Sequence, residues 1–204
     1  MKFLLGLVIL ILVIALVVAI VRFVQASKKK DRPEPASQRR AHDPFAASQD
    51  AAGDPRDIKA GDMLEYLGEK YWVRGSAHYQ EGGYTWSEHF YQADTDPVRK
   101  WLGVEEDDGE LELSVWEDRP ELEIVPGDKQ ITVDDVTYTL VEKGTARYRT
   151  EGTTSMPSSG GVDYADYEAG AGKLLSIERY DHGKWEVSTG HTVPLGSFTI
   201  YPGS

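Results

Sequence analysis

The chain has 204 residues, no cysteine and a formal net charge of −12 at pH 7, which excludes disulfides, thiol catalysis and cysteine-ligated metals. Residues 1–56 carry nine Lys/Arg against five Asp/Glu, whereas residues 57–204 carry thirteen against twenty-nine. Because so acidic a region repels phosphate backbones, nucleic-acid binding is not expected.

The chain begins with an apolar segment, Phe3–Val21, in which sixteen of nineteen residues are Leu, Ile, Val or Phe and none is charged. As a helix it would extend roughly 28 Å, close to the ~30 Å hydrocarbon core of a bilayer. We therefore predict one transmembrane helix within an anchor spanning residues 1–26.

The basic residues around this segment predict its orientation. Only Lys2 precedes it, whereas Arg22, Lys28–Lys30 and Arg32 follow it. Since positive charge stays on the cytoplasmic side, the main domain is expected in the cytoplasm, anchored to the cell membrane by a single pass. The alternative is a cleaved signal peptide, because Val24–Ala26 resembles a cleavage site.

A polar linker is predicted over residues 27–56. It is rich in Pro, Ala, Ser, Asp and Arg and contains a single aromatic residue, Phe45. Such a composition buries too little apolar surface to offset the entropy of ordering, which predicts disorder.

Residues 57–204 are predicted to form one β-rich domain, because short runs of alternating residues are separated by turns every eight to twelve residues. Leu111, Leu113 and Val115 alternate with polar neighbours. Residues 71, 73, 77 and 79 likewise share one predicted face. The expected fold is mainly β, either a sandwich or a barrel.

An internal repeat is predicted at about residues 67–117 and 134–191. Three pairs of segments match in the same order: GSAHYQ (75–80) with GTARYR (144–149), KWLGVE (100–105) with KLLSIE (173–178), and DDGELELS (107–114) with DHGKWEVS (181–188). We predict a duplicated antiparallel meander whose halves pack face to face.

Two acidic residues are the main candidates for a ligand site. Alternation places Glu88 on the same strand face as Trp86, and the second copy offers Asp166 two residues after Tyr164. A carboxylate on an aromatic face is costly unless it is paired or hydrogen-bonded. Close carboxylates split their pKa values, which serves either acid–base chemistry or cation binding. The alternative is structural: backbone N–H groups, Arg74 or Arg147 would satisfy these acids.

Two tryptophans, Trp72 and Trp116, fall on the polar side of their strands, which favours either a protein-binding face or a second buried face. The scattered histidines lack the spacing of a metal site, and no catalytic motif or cofactor-binding loop is present, so neither a metal nor a cofactor is expected. The acidic clusters Glu105–Asp108 and Glu117–Glu123 are predicted to be solvated turns.

From about Gly61 to Ser204 the sequence resembles an uncharacterised bacterial family, domain of unknown function 4178. The resemblance rests on Trp72-Val73-Arg74-Gly75, Trp86-Ser87-Glu88-His89-Phe90, Trp101-Leu102 and Trp185-Glu186. It implies a protein that is often membrane-anchored or multidomain, encoded near genes for envelope stress and for enzymes resembling polyamine aminopropyltransferases. No catalytic residue comes with the family.

Together these patterns predict a non-enzymatic module: a membrane-anchored β-domain that binds a protein partner or small ligand, with a suggested role in envelope stress. The alternative is a binding domain for a cationic small molecule, such as a polyamine, held by carboxylates and aromatic rings. A hydrolytic enzyme is the third interpretation.

Overall fold

The structure is a computed structural model that describes residues 53–93, 99–107 and 109–203. The predicted membrane segment Phe3–Val21 and the predicted linker up to residue 52 lie outside these residues. Within the described part, no helix is both long enough and apolar enough to cross a bilayer. The one helical element of that part is a 3-10 turn, Pro55–Asp57, capped by the Asp54 carboxylate.

The described residues form eleven strands. In chain order these are β1 (Met63–Tyr66), β2 (Glu69–Glu81), β3 (Tyr84–Gln92), β4 (Lys100–Asp107), β5 (Glu110–Asp118), β6 (Gln130–Val133), β7 (Val136–Gly152), β8 (Ser159–Ala169), β9 (Lys173–Tyr180), β10 (Trp185–Val193) and β11 (Phe198–Tyr201). Their pairings are all antiparallel, which confirms the prediction of a mainly β domain.

Eight of these strands close into a barrel in the order β2-β3-β4-β5-β10-β9-β8-β7, because β7 also pairs with β2. The short strands β1 and β11 extend the sheet beyond β2, and β6 extends it beyond β7. Of the two predicted architectures, the barrel is observed. The predicted face-to-face packing of the halves is wrong, since β2–β5 and β7–β10 join edge to edge.

The matched segments fall on corresponding strands: β2 and β7, β4 and β9, and the β4–β5 and β9–β10 hairpins. At the β2–β7 junction, Tyr79 is the register partner of Tyr148, its counterpart in the matched segments. At the β5–β10 junction, Trp116 pairs with Gly190, and each lies two residues after a matched segment. At each junction a residue thus pairs with its own counterpart in the other copy. This arrangement indicates an approximate twofold axis that passes through both junctions.

A β-bulge divides strand β2 between two environments. The register shifts between Val73 and Gly75, and the extra residue reverses the face on which later side chains lie. Val73 therefore belongs to one apolar cluster, and Ala77 and Tyr79 belong to another. The predicted common face for residues 71, 73, 77 and 79 is wrong for this reason.

Strand β7 carries a bulge in a similar position, between Leu140 and Glu142. Before it, Tyr138 packs in an apolar cluster with β6; after it, Ala146 and Tyr148 join the cluster that contains Tyr79. Both long strands thus contribute first to an outer layer and then to the barrel interior.

Two apolar clusters lie on the outer face of the barrel wall. The first includes Leu102 and Leu113 and is covered by residues of β1 and β11, among them Leu64 and Ile200. The second includes Ile177 and is covered by β6 and a segment preceding it. Because neighbouring residues on a strand point to opposite faces, the residues alternating with these line the interior.

Candidate functional site

The barrel interior contains a cavity of about 650 Å³, here called the acidic chamber. It opens beside the β2–β3 turn, where Gly82 and Gly83 line it. Six of its lining residues are acidic: Glu81, Glu88, Glu105, Glu142, Asp166 and Glu178. Among the described residues that line it, none is Lys, Arg or His.

All four predicted ligand-binding residues line this chamber: Trp86, Glu88, Tyr164 and Asp166. Strand alternation places Trp86 and Glu88 on the inner face of β3, and Tyr164 and Asp166 on the inner face of β8. The structure therefore brings together the two acids that the repeat suggested.

Small residues lie opposite these acids on the neighbouring strands. Glu88 is the register partner of Gly103, and Asp166 that of Ser176. A Cβ on Gly103 would collide with Ser114 Oγ, and one on Gly190 would lie 2.6 Å from the Trp116 ring. The two glycines thus leave the space that the Trp116 indole occupies inside the barrel.

Glu88 belongs to a hydrogen-bonded chain that crosses the interior. Tyr79 Oη donates to Glu88 Oε2 at 2.9 Å, and Tyr180 Oη donates to Glu178 Oε2 at 2.6 Å. The two phenol oxygens lie 3.0 Å apart. The hydrogen-bond partner of Glu88 is therefore Tyr79, and not Arg74 or Arg147 as predicted.

A proton on one of the two carboxyls would complete the hydrogen bonding of this chain. Its three oxygen–oxygen contacts need three hydrogens, whereas two phenols provide two. For all three contacts to be hydrogen bonds, Glu88 or Glu178 must be protonated. With both phenols donating to carboxylates, the contact between the two phenol oxygens has no hydrogen of its own, and it becomes a hydrogen bond only when one of the two carboxyls is protonated.

Burial raises the pKa of Glu88 to about 7, with Asp166 and Asp118 adding to the shift and the Tyr79 hydrogen bond opposing it. Burial likewise raises the pKa of Asp166 to about 6, against the hydrogen bond donated by Ser176 Oγ at 2.6 Å. Burial and the nearby Glu88 raise the pKa of Glu178 well above its ordinary value. The common cause is removal of these carboxyls from water in a cavity lined by further acids.

Aromatic rings form part of the chamber wall. Tyr79 and Trp86 stack with centroids 5.1 Å apart and planes inclined by 6°. Trp86 meets Tyr164 edge-on at 5.9 Å, and the Tyr164 hydroxyl donates to Glu81. Ring faces beside carboxylates are the surroundings in which organic ammonium groups are bound.

A second cavity of about 720 Å³, here called the tryptophan cavity, opens at the opposite end of the barrel. Three indoles line it: Trp101, Trp116 and Trp185. It meets the acidic chamber at four shared residues, namely Glu88, Trp116, Ser176 and Glu178. The two cavities therefore extend from one end of the barrel to the other.

The two predicted protein-binding residues are not brought together. Trp72 is 46% exposed, whereas Trp116 lines both cavities and its indole N–H donates to Ser114 Oγ at 2.7 Å. The interior position removes Trp116 from any outer docking face, so protein binding stays a prediction for Trp72 alone.

Glu178 and Asp118 line the cavities although neither is among the predicted site residues. Asp118 lies at the end of β5, lines the tryptophan cavity and accepts a hydrogen bond from the Trp101 indole at 3.1 Å. The acidic clusters predicted to be solvated turns instead reach into strands, so Glu105 lines the chamber. Strand alternation within KLLSIE, which places Glu178 on the face opposite to Ile177, was the signal that could have found it.

His89 has a structural role. It is 1% exposed, its two ring nitrogens lie 2.9 and 3.1 Å from the hydroxyls of Ser76 and Ser87, and burial lowers its pKa to about 3. Nowhere in residues 53–93, 99–107 and 109–203 do three His, Asp or Glu side chains gather in a way that could hold a metal ion.

Fold and cavities define a class of protein: an antiparallel eight-stranded barrel with apolar layers outside and an acidic, aromatic interior. The chain belongs to the family described as domain of unknown function DUF4178, whose model matches residues 59–195. The match confirms the family that the sequence resembles, and it says nothing of the membrane anchoring that the resemblance implies.

Two similar relatives are uncharacterized protein Rv2597 of Mycobacterium tuberculosis (strain H37Rv) and uncharacterized protein Mb2628 of Mycobacterium bovis. Each is 39% identical over 204 residues, covering 97% of this chain and 96% of the relative. No solved structure matches the chain.

Proposed function

We propose that the protein is a non-enzymatic binding module whose acidic chamber takes up a cationic small molecule such as a polyamine. The observation that carries this proposal is the set of six carboxylates lining one cavity that no Lys, Arg or His among the described residues lines. Several buried like charges destabilise one another, and a bound cation would relieve that cost.

An organic cation suits the chamber better than a metal ion. The cavity, about 650 Å³, has the size of a small-molecule site, and its walls combine carboxylates with the rings of Trp86, Trp116 and Tyr164. To bind a metal ion, several ligand oxygens would have to converge on one point, each about 2.0–2.6 Å from the ion. An extended ammonium ligand instead uses separated carboxylates and ring faces.

For the whole chain, we propose a single-pass membrane protein that presents this barrel on the cytoplasmic side, with a role in envelope or membrane stress. The apolar segment Phe3–Val21 and the basic residues after it support this location.

A reporter fused after Ser204 tests the orientation. We expect a fused green fluorescent protein to be fluorescent and a fused alkaline phosphatase to be inactive, because only an exported phosphatase acquires its disulfides. An active phosphatase would contradict the cytoplasmic location without bearing on the chamber.

Calorimetric titration of the full chain in nanodiscs with spermidine tests the binding function. We expect saturable binding that weakens as salt rises, and a loss of roughly tenfold or more in affinity for Glu88→Gln, since one central charge is removed. Glu123→Gln is the matched control: it removes the same charge from an exposed position outside both cavities. No spermidine binding, or equal losses in both variants, would contradict the proposal.

A further inference from the structure

The tryptophan cavity has a different character from the acidic chamber that it meets. Apart from the four shared residues, its apolar lining includes Trp101 and Met156. At its rim it also includes Leu122, Trp185 and Val187, which belong to or pack against the outer cluster of Ile177. Indole, thioether and aliphatic groups favour the apolar part of a ligand, which loses contact with water on binding.

The charges of this cavity balance, unlike those of the chamber. Its own acidic residues are Asp118, Glu121 and Glu186, and its basic residues are Arg99, Arg119 and Lys184. Several of these are paired with each other: Arg99 Nε lies 3.2 Å from Asp118, and Arg119 Nε lies 2.5 Å from Glu121. A second ammonium group placed here would find cations as well as carboxylates, so the attraction for positive charge is concentrated in the chamber.

The distance between the two environments suits a small ligand. Trp86 lines the chamber, and Trp101, which lines the tryptophan cavity, is the register partner of Phe90. Four residues along an antiparallel strand span about 13 Å. One molecule with a short chain between its charge and its apolar group would reach from one environment into the other.

We propose that the ligand is an amphiphilic organic amine, with one ammonium group beside Glu88, Asp166 and Glu178 and an alkyl or aryl group among the indoles of the tryptophan cavity. This inference rests on the proposed function, and it narrows that function from cations in general to cations with an apolar end. Orientation follows from the charges: the ammonium lies in the chamber and the apolar group points to the end of the barrel where Met156 and Trp185 lie.

Three compounds built on the same four-carbon chain test this inference. 4-Phenylbutylamine carries one ammonium and a ring, 1,4-diaminobutane carries two ammonium groups and no ring, and 4-phenyl-1-butanol carries the ring without charge. Each is titrated into the full chain in nanodiscs, with empty nanodiscs as the blank. We expect 4-phenylbutylamine to bind at least about tenfold more tightly than either of the others, because only it satisfies both environments.

Two variants separate the environments. We expect Trp185→Ala to weaken the binding of 4-phenylbutylamine about tenfold and to leave that of 1,4-diaminobutane unchanged, because it removes apolar lining and no charge. The variant also loses the contact of the Trp185 ring with the Arg179 guanidinium and its packing against the outer cluster of Ile177, so its folding is checked by circular dichroism. Met156→Ala should do the same to a smaller extent, and it replaces Trp185→Ala if that variant does not fold. Glu88→Gln should weaken the binding of both 4-phenylbutylamine and 1,4-diaminobutane.

The outcomes distinguish this inference from the function on which it rests. If 1,4-diaminobutane binds as tightly as 4-phenylbutylamine and both depend on Glu88, the amphiphilic ligand is overturned and the cation site stands. If Trp185→Ala and Met156→Ala leave the affinity for 4-phenylbutylamine unchanged, the proposed position of its apolar group in the tryptophan cavity is overturned. If neither amine binds, both proposals fail.

Discussion

At pH 8 the double variant Glu88→Gln/Asp166→Asn is expected to be about 3 kcal/mol more stable to unfolding than the wild type. The pKa values of Glu88 and Asp166 are about 7 and about 6 in the fold, against ordinary values of 4.5 and 3.8. A tenfold change in an acid dissociation constant corresponds to about 1.4 kcal/mol, which sets an upper limit of several kcal/mol for the two carboxyls together. Contact with water in the chamber and the interaction between the two acids reduce the expected gain to roughly half of that limit.

The sign of this effect follows from proton linkage. A carboxyl whose pKa is raised by folding holds a proton that the unfolded chain has already released. The wild type therefore loses stability as the pH rises from about 4 to about 7, between the ordinary and the raised pKa values. The amides cannot ionise, so the double variant avoids this loss, and near pH 4 the two proteins should be nearly equally stable.

Thermal or urea unfolding of both proteins from pH 4 to pH 8 measures the difference. The amide oxygens can still accept the hydrogen bonds from Tyr79 and Ser176, so the packing is preserved. Glu123→Gln, which changes an exposed carboxylate and keeps both interior acids, should match the stability of the wild type across this pH range. A double variant that is less stable than the wild type at pH 8, or a gain that persists unchanged at pH 4, would contradict the raised pKa values.

Spermidine affinity is expected to increase at least about 100-fold between pH 5 and pH 7.5. At pH 5 both Glu88 and Asp166 are mostly protonated, whereas at pH 7.5 both are mostly ionised. Since a cation binds the carboxylate and not the neutral acid, binding displaces the protons that the chamber holds.

Calorimetry at pH 6.5 in two buffers with different protonation enthalpies measures this displacement directly. We expect about one proton to be released for each spermidine bound by the wild type, and fewer in Glu88→Gln. In that variant the spermidine affinity should increase only about tenfold between pH 5 and pH 7.5, because Asp166 is then the main acid that ionises over this range. Affinity that stays constant from pH 5 to pH 7.5 would show that the interior carboxyls do not hold the ligand.

Residue alternation was sufficient to predict strands and much of the candidate site. Leu113 and Val115 are buried as the pattern of β5 predicts, and Trp86 with Glu88 shares an inner face. Matching segments also pointed to Asp166 as the counterpart of Glu88, and both acids line one chamber.

Alternation alone could not tell which face of the sheet is enclosed. A polar or acidic face normally lies in water, so Asp118 was predicted to be solvated, although it lines an interior cavity. Enclosure of that face depends on the long-range pairing of β2 with β7, which no local pattern reveals. The two bulges were missed for a related reason: one extra residue changes the face without changing the composition of the strand.

Those bulges divide each of the two long strands between an outer apolar layer and the lining of the interior. Residues before each bulge help to build the apolar layers outside the barrel, and residues after it shape the interior. Substitutions inside could therefore alter which molecules are recognised while the folding energy of the outer layers is retained. Interior positions outside the buried cluster of Tyr79 and Tyr148 are therefore the ones at which evolution or engineering can vary the cavity without disturbing either outer layer.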